Sequence, residues 1–88
     1  MVVLDMTKEQ LILVAQGRSY IANGTGKAVR MANRLSLQDW AGAMAAVLEE
    51  SVSPSTVCRY ELHQRRGGPR HAAAYATVVN ALLAGTPS

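Results

Sequence analysis

Apolar residues recur along this chain at intervals of three and four, the spacing that places side chains on one face of an α-helix. One stripe within 37–48 predicts a helix of three turns or more, and a second within 75–82 predicts a helix that begins at Pro69. No stretch alternates with a period of two for long enough to predict a strand. The first stripe comprises Leu37, Trp40, Ala41, Met44, Val47 and Leu48, and the second comprises Tyr75, Val78, Val79 and Leu82.

The first helix along the chain is predicted over 7–22. Thr7, with Gln10 three positions later, has the spacing of a capping box, in which each residue hydrogen-bonds the backbone of the other. The pair Asn23–Gly24 predicts the end of this helix, because both residues tolerate a left-handed conformation. Gly17 costs about 1 kcal/mol relative to Ala inside a helix, so a segment in two pieces stays an alternative.

Three further helix starts are indicated by polar residues that stand ahead of helical stretches. Thr25 is the candidate N-cap of a short second helix, and Ser36 is the candidate N-cap of the long helix that follows it. Ser53 followed by Pro54 predicts a fourth start, because Ser accepts a backbone hydrogen bond and Pro lacks an N–H that the first turn leaves unused. This fourth helix is predicted over 53–64, and we expect the glycine pair after it to end it.

Together these elements predict an all-α fold, a small bundle of about five helices. A chain of 88 residues is close to the size of one small domain. We therefore expect one compact domain. Its 49% hydrophobic and 17% charged residues argue against a disordered chain.

Location is indicated by apolar runs and cysteine usage. The apolar runs are far shorter than the roughly 20 residues that cross a bilayer, so we expect no membrane span. Cys58, the only cysteine, cannot form an intramolecular disulfide, and the opening "MVVLDMTKEQ" has no basic segment before an apolar one. These features favour a cytoplasmic protein.

The sequence gives little indication of an active site, a metal site or a cofactor site. The stretch "GTGK" at 24–27 lacks the first glycine, the final Ser or Thr and the preceding strand of a phosphate-binding loop. Cys58, His63 and His71 match no spacing of zinc ligands. No set of side chains converges as catalysis would require. We therefore expect no metal, no cofactor and no enzymatic activity.

Positive charge is concentrated in one stretch of the chain. Nine Lys and Arg against six Asp and Glu give a net charge of +3. Four of the arginines lie within 59–70, where Glu61 is the only acid. By itself such a cluster is more often a solvated helix end and a basic loop than a nucleic-acid surface, so its order among neighbouring motifs decides the interpretation.

Four motifs occur in order along roughly two thirds of the chain: "VRMANRLSLQDWA", "VSPSTVCRYE", "HQRRGGPR" and "AAAYATVVNALLA". In this order they resemble the helix-turn-helix domain of the Cro and phage-repressor family, also called the XRE family. The resemblance implies a lambda-repressor-like fold, with 25–88 as the DNA-binding domain and 1–24 as an extra N-terminal helix. Eleven residues lead from Ala41 to Val52 where the family has about five, so "AAVLEES" should lengthen helix two or the turn.

The resemblance also assigns roles to individual residues, with 53–64 as the recognition helix in the major groove. Arg59 is the strongest candidate for base contact, because a guanidinium can donate two hydrogen bonds to guanine O6 and N7. The expected base contacts are Pro54, Ser55, Thr56 and Arg59. The expected phosphate contacts are Gln38, His63, Gln64, Arg65, Arg66 and Arg70. The expected structural residues are Arg30, Trp40, Ser53, Val57, Tyr60 and Glu61, with Glu61 tied to Arg30.

A family member of this kind would be a sequence-specific double-stranded DNA-binding transcriptional regulator of a phage or mobile element. It would act in the cytoplasm of a prokaryotic cell or a phage-infected host. A homodimer on a near-palindromic operator is expected, with half-sites about one helical turn apart. The apolar run Leu11–Val14 is a candidate for the dimer contact, and coverage of the core is its alternative role. The alternative function is an antitoxin or another protein-interaction module built on the same bundle.

Overall fold

The computed structural model describes residues 7–64 and 68–85, and within them it contains five α-helices and no strand. The all-α prediction and the helix count are therefore confirmed. None of the helices in the described ranges is long and apolar enough to cross a membrane. In chain order the helices are α1 (Lys8–Ala22), α2 (Thr25–Ala32), α3 (Leu37–Leu48), α4 (Pro54–Glu61) and α5 (Pro69–Gly85).

Two of the helices begin with a complete capping box. The Thr7 hydroxyl accepts the N–H of Gln10 at 3.1 Å, and the Gln10 side chain accepts the N–H of Thr7 at 2.9 Å. Ser36 and Asp39 make the same exchange at the start of α3, at 3.0 and 2.9 Å. The bonds from Ser36 also lower the pKa of Asp39. Both predicted helix starts are confirmed.

The start of α2 differs from the prediction. Thr25 is the first residue of the helix rather than its N-cap, and Gly24 precedes it with φ 79°. The Asn23 side chain accepts the N–H of Thr25 at 3.0 Å and the Thr25 hydroxyl at 2.6 Å. The capping oxygen therefore comes from two residues upstream, because an Asn side chain can hydrogen-bond its own backbone two residues on.

The end of α4 also differs from the prediction. The helix ends at Glu61, so Leu62, His63 and Gln64 lie outside it. His63 takes a left-handed conformation with φ 60°, which directs the Gln64 N–H back to the carbonyl of Arg59 at 2.9 Å. This local hydrogen bond ends the helix ahead of the glycine pair, of which Gly67 lies outside the described residues.

Three aromatic rings occupy the centre of the bundle. Tyr75 of α5 lies 5.4 Å from the Trp40 ring of α3 and 6.0 Å from the Tyr60 ring of α4, measured between ring centroids. All three side chains are buried, and burial raises the pKa of the Tyr75 hydroxyl. Val57 of α4 belongs to the same cluster. The inner face of α4 is thus held by α3 and α5.

Helix α1 is continuous through Gly17 and packs along α5. A side chain at Gly17 would overlap the carbonyl group of Ala72, so the glycine permits a close approach of the two helices. The Tyr20 hydroxyl donates to Asn80 of α5 at 2.7 Å. Val14 is buried against the bundle while Leu11 remains exposed. The N-terminal helix therefore covers the core with one face only.

One position of the α3 stripe does not follow the prediction, since Val47 is 47% exposed. Ala73, Thr77 and Ala81 of α5, which have short side chains, line grooves that stay open on either side of Val47. The segment "AAVLEES", which is longer than its counterpart in the family that the motifs resemble, is divided between two elements. Its first part extends α3 to Leu48, and its remainder lies in the connection before α4.

Candidate nucleic-acid interface

The two faces of α4 differ in exposure. Val57 and Tyr60 are buried in the core, whereas Ser55 and Arg59, four positions apart, are exposed. Residues with this spacing lie one above the other on the same side of a helix. Helix α4 therefore has one face buried in the core and an exposed outer face.

The N-terminus of α4 is capped as predicted. The Ser53 hydroxyl accepts the N–H of Thr56 at 3.2 Å, and Pro54 occupies the first turn with its ring exposed. The Thr56 hydroxyl is paired with the Ser53 hydroxyl at 2.9 Å. Thr56 is thus part of the cap and half-buried, which leaves Ser55 as the hydroxyl that faces outward from this turn.

A bidentate ion pair fixes the other end of α4. Arg30 of α2 donates from Nε to one Glu61 oxygen at 2.6 Å and from Nη2 to the other at 2.8 Å. Its Nη1 donates to the carbonyl of Leu35 at 2.9 Å. The hydrogen bonds to Glu61 raise the pKa of Arg30. The contact expected from the resemblance is present, and it joins α4 to the connection between α2 and α3.

The expected phosphate contacts fall into two groups within the described residues. Gln38 is exposed in the first turn of α3, and His63 and Gln64 are exposed just beyond the end of α4. Arg70 is exposed in the first turn of α5, but its guanidinium is engaged with Leu48, the last residue of α3, and with Glu50, two residues beyond it. Arg65 and Arg66 lie outside the described residues.

Arg70 makes contacts that the sequence did not predict. Its Nη1 donates to Glu50 at 3.3 Å, and its Nη2 donates to the carbonyl of Leu48 at 3.3 Å. His71 Nε2 also lies 3.6 Å from a Glu50 oxygen. Since Glu50 is twenty positions from Arg70, no local spacing could have indicated this pair. An Arg70 that binds a phosphate would have to leave Glu50.

Sequence interpretation also missed Arg34, which lies in the connection between α2 and α3 with φ 56°. Its side chain is exposed, and none of the ion pairs formed by the described residues involves it. The string "ANRLS" contained the signal, a charged residue where a helix end usually has Gly. That signal becomes visible only once the end of α2 is known.

No three His, Cys, Asp or Glu side chains come together as a possible metal site in the described part of the chain. Cys58 is a free, partly buried thiol on α4. A second surface lies between α3 and α5, where a groove of about 240 Å³ is almost entirely apolar. Its lining residues are Leu35, Trp40, Ala43, Val47, Thr77, Val78, Ala81 and Leu82.

The candidate interface combines a capped helix that has an exposed outer face with an ion pair that fixes this helix. Two exposed arginines, Arg34 and Arg59, lie at the ends of α2 and α4. Its chemistry suits a polyanion that presents hydrogen-bonding groups in a groove. Comparisons with protein-family models, with curated proteins and with solved structures found no match to the chain.

Proposed function

We propose that this protein is a sequence-specific double-stranded DNA-binding transcriptional regulator of the Cro and repressor kind, which inserts α4 into the major groove. The observation that carries the proposal is the division of α4. Its inner face, with Val57 and Tyr60, is buried in the core, and its outer face exposes Ser55 and Arg59. A helix held in this way can present side chains to base edges without unfolding any part of the core.

The exposed groups of α4 have suitable chemistry for base contact. Arg59 can donate two parallel hydrogen bonds to guanine O6 and N7, a pairing that contributes about 1–3 kcal/mol of discrimination. The Ser55 hydroxyl, one turn earlier, can donate to or accept from a neighbouring base. Thr56 is the weaker candidate, because its hydroxyl is already paired with Ser53.

Phosphate contacts would position the helix on the duplex and supply most of the salt-dependent affinity. Gln38, His63 and Gln64 are exposed and available for this role. Arg70 can join them by releasing Glu50, since an ion pair this exposed contributes at most about 1 kcal/mol. We include Arg65 and Arg66 on the strength of the motif resemblance alone.

The regulator would act in the cytoplasm of a prokaryotic cell or phage-infected host, as a homodimer on a near-palindromic operator. One α4 contacts only a few base pairs, so two copies are needed for a specific site. Leu11 and Ile12 of α1 are exposed and face away from the core. They are the part of the N-terminal helix that remains free to contact a second copy.

Selection of bound duplexes from a random pool tests the proposal, with Arg59→Lys as the matched variant. Lysine keeps the charge but lacks the planar fork of the guanidinium. We expect the wild type to enrich a near-palindromic consensus and Arg59→Lys to bind mixed DNA with a relaxed preference at one position. Enrichment of no sequence by the wild type would overturn sequence-specific regulation.

A protein-interaction module such as an antitoxin is the second candidate, favoured by the apolar groove between α3 and α5. Val47 lies half-exposed at its edge, and the indole N–H of Trp40 is buried without a hydrogen-bond partner within the described residues. Under this function, Val47→Glu should abolish copurification of a partner while helicity by circular dichroism is retained. A chain that purifies alone would count against it.

A further inference from the structure

Within residues 7–64 and 68–85, four helix ends use a left-handed residue, and one of these four is glycine. Gly24 follows α1 with φ 79°. Arg34, Glu49 and His63 follow α2, α3 and α4 with φ 56°, 57° and 60°. A side chain is unfavourable in this conformation because its Cβ approaches the backbone oxygen. The three residues are therefore placed where Gly would be the easier choice.

At Arg34 the backbone hydrogen bonds form the complete motif that normally selects glycine. The Arg34 N–H donates to the carbonyl of Met31 at 3.0 Å, and the Leu35 N–H donates to the carbonyl of Arg30 at 3.0 Å. This is the Schellman arrangement, whose left-handed position is usually glycine. Nothing in the backbone of the turn requires an arginine, so the reason for it is to be sought in the side chain.

The location of Arg34 relates it to the candidate interface. The Arg30 guanidinium bonds both Glu61 and the carbonyl of Leu35, so the end of α4 and the turn that carries Arg34 meet at one side chain. His63, an expected phosphate contact, is two residues beyond Glu61. Arg34 and His63 thus extend from two helix ends that a single ion pair holds together.

Charge distinguishes Arg34 from its neighbour in this cluster. The charge of Arg30 is balanced by Glu61 at hydrogen-bond distance. None of the ion pairs within the described residues balances the charge of Arg34, and its side chain is exposed. An exposed, unbalanced guanidinium beside a helix placed for the major groove is well suited to a phosphate oxygen.

We propose that Arg34 is a DNA phosphate-contacting residue, which binds the sugar-phosphate backbone beside the groove that α4 enters. The proposal rests on the DNA-binding function and adds to it a contact from outside the recognition helix. At this position the chain has a positively charged side chain, although glycine would suit the left-handed backbone better. On binding, Arg34 displaces condensed counterions from the duplex, so its contribution depends on salt and not on base sequence.

The test measures binding of the full chain to a fluorescent mixed-sequence 20-base-pair duplex between 50 and 200 mM NaCl. Arg34→Gly removes the cation and relieves the left-handed conformation. We expect affinity at low salt to fall about 3- to 10-fold and the salt slope to flatten by about one, as for the loss of one phosphate contact. The thermal midpoint should stay equal or rise by a few degrees, so lost affinity would not reflect lost folding.

Two variants serve as matched controls. Glu49→Gly relieves the same conformation at the end of α3, and it should raise the thermal midpoint similarly without weakening DNA binding. Arg34→Lys keeps both the charge and the left-handed residue, and it should keep the wild-type salt slope. If Arg34→Gly proves less stable than the wild type, Arg34→Gln decides the question, because it removes the charge while it keeps a side chain in the left-handed position, and it should flatten the salt slope by the same amount.

The outcomes separate this inference from the function on which it rests. A wild type that binds duplexes and an Arg34→Gly variant with the same affinity and slope would overturn the inference alone. Arg34→Gln with the wild-type slope would also overturn it. A wild type that binds no duplex even at 50 mM NaCl would overturn the DNA-binding function, and the role of Arg34 with it.

Discussion

Two arginines in this bundle bond the same kinds of partner in different surroundings. Arg30 and Arg70 each bond one glutamate and one backbone carbonyl. The side chains of Arg30 and Glu61 are only 15% and 7% exposed, and their bonds measure 2.6 and 2.8 Å. Those of Arg70 and Glu50 are 63% and 41% exposed, and their bond measures 3.3 Å. The two pairs therefore differ in burial and in the number of bonds between the side chains, two for Arg30 and one for Arg70.

This difference determines what each arginine can do. Away from water, a charge that loses its partner cannot be solvated, so Arg30 and Glu61 depend on each other. In water, Arg70 can exchange Glu50 for another anion at little cost. The first pair is therefore suited to fix the position of α4, and the second is suited to open when a phosphate approaches.

The largest expected effect comes from Glu61→Ala. It leaves the Arg30 guanidinium largely buried with only the carbonyl of Leu35 as a partner, and we expect a loss of about 3 kcal/mol in the free energy of unfolding. Urea titration followed by circular dichroism measures this loss. The distinction between the two arginines would be contradicted if Glu61→Ala lowered the free energy of unfolding no more than Glu50→Ala does.

A smaller effect is expected when both charges are replaced, as in R30M/E61M. Apolar side chains of similar size remove the need to solvate either charge, so the double variant should be more stable than Glu61→Ala by about 1 kcal/mol or more. It should remain below the wild type, because the carbonyl of Leu35 also loses a donor. A double variant as unstable as the single one would show that the two charges are not coupled.

The smallest effect is expected at the exposed pair. Arg70→Ala and Glu50→Ala should each change the free energy of unfolding by less than about 0.5 kcal/mol, and added salt should reduce the change further. The same urea titrations at low and high NaCl measure it. A loss of 2 kcal/mol in either variant would contradict the distinction between the two arginines.

Local sequence was sufficient to predict how α1, α3 and α4 begin, although not α2. The capping pairs at Thr7 and Ser36 and the start at Ser53–Pro54 depend on atoms within three residues of each other, so their spacing determines the contact. Val57 and Tyr60, to which the resemblance gave structural roles, are buried in the core, and their spacing of three places them on one face of α4.

Features that depend on distant residues could not be predicted in this way. Val47 is exposed at grooves that α3 and α5 line together, so its burial depends on residues far along the chain. The engagement of Arg70 requires Glu50, twenty positions earlier. Arg34 was overlooked because its conformation, and not its charge alone, sets it apart. The Arg30–Glu61 contact was anticipated only through the motif resemblance, since 31 residues separate the two.

The contact between Tyr75 and Trp40 makes tryptophan fluorescence sensitive to the packing of the core. The Tyr75 ring lies where any side chain at Gly26 would have to be, and it also contacts Trp40, the only tryptophan in the chain. A displacement of α2 would release Tyr75 and thereby change the surroundings of the indole. Intrinsic tryptophan fluorescence can therefore report, without any label, whether α2 is seated while the protein folds or binds a partner.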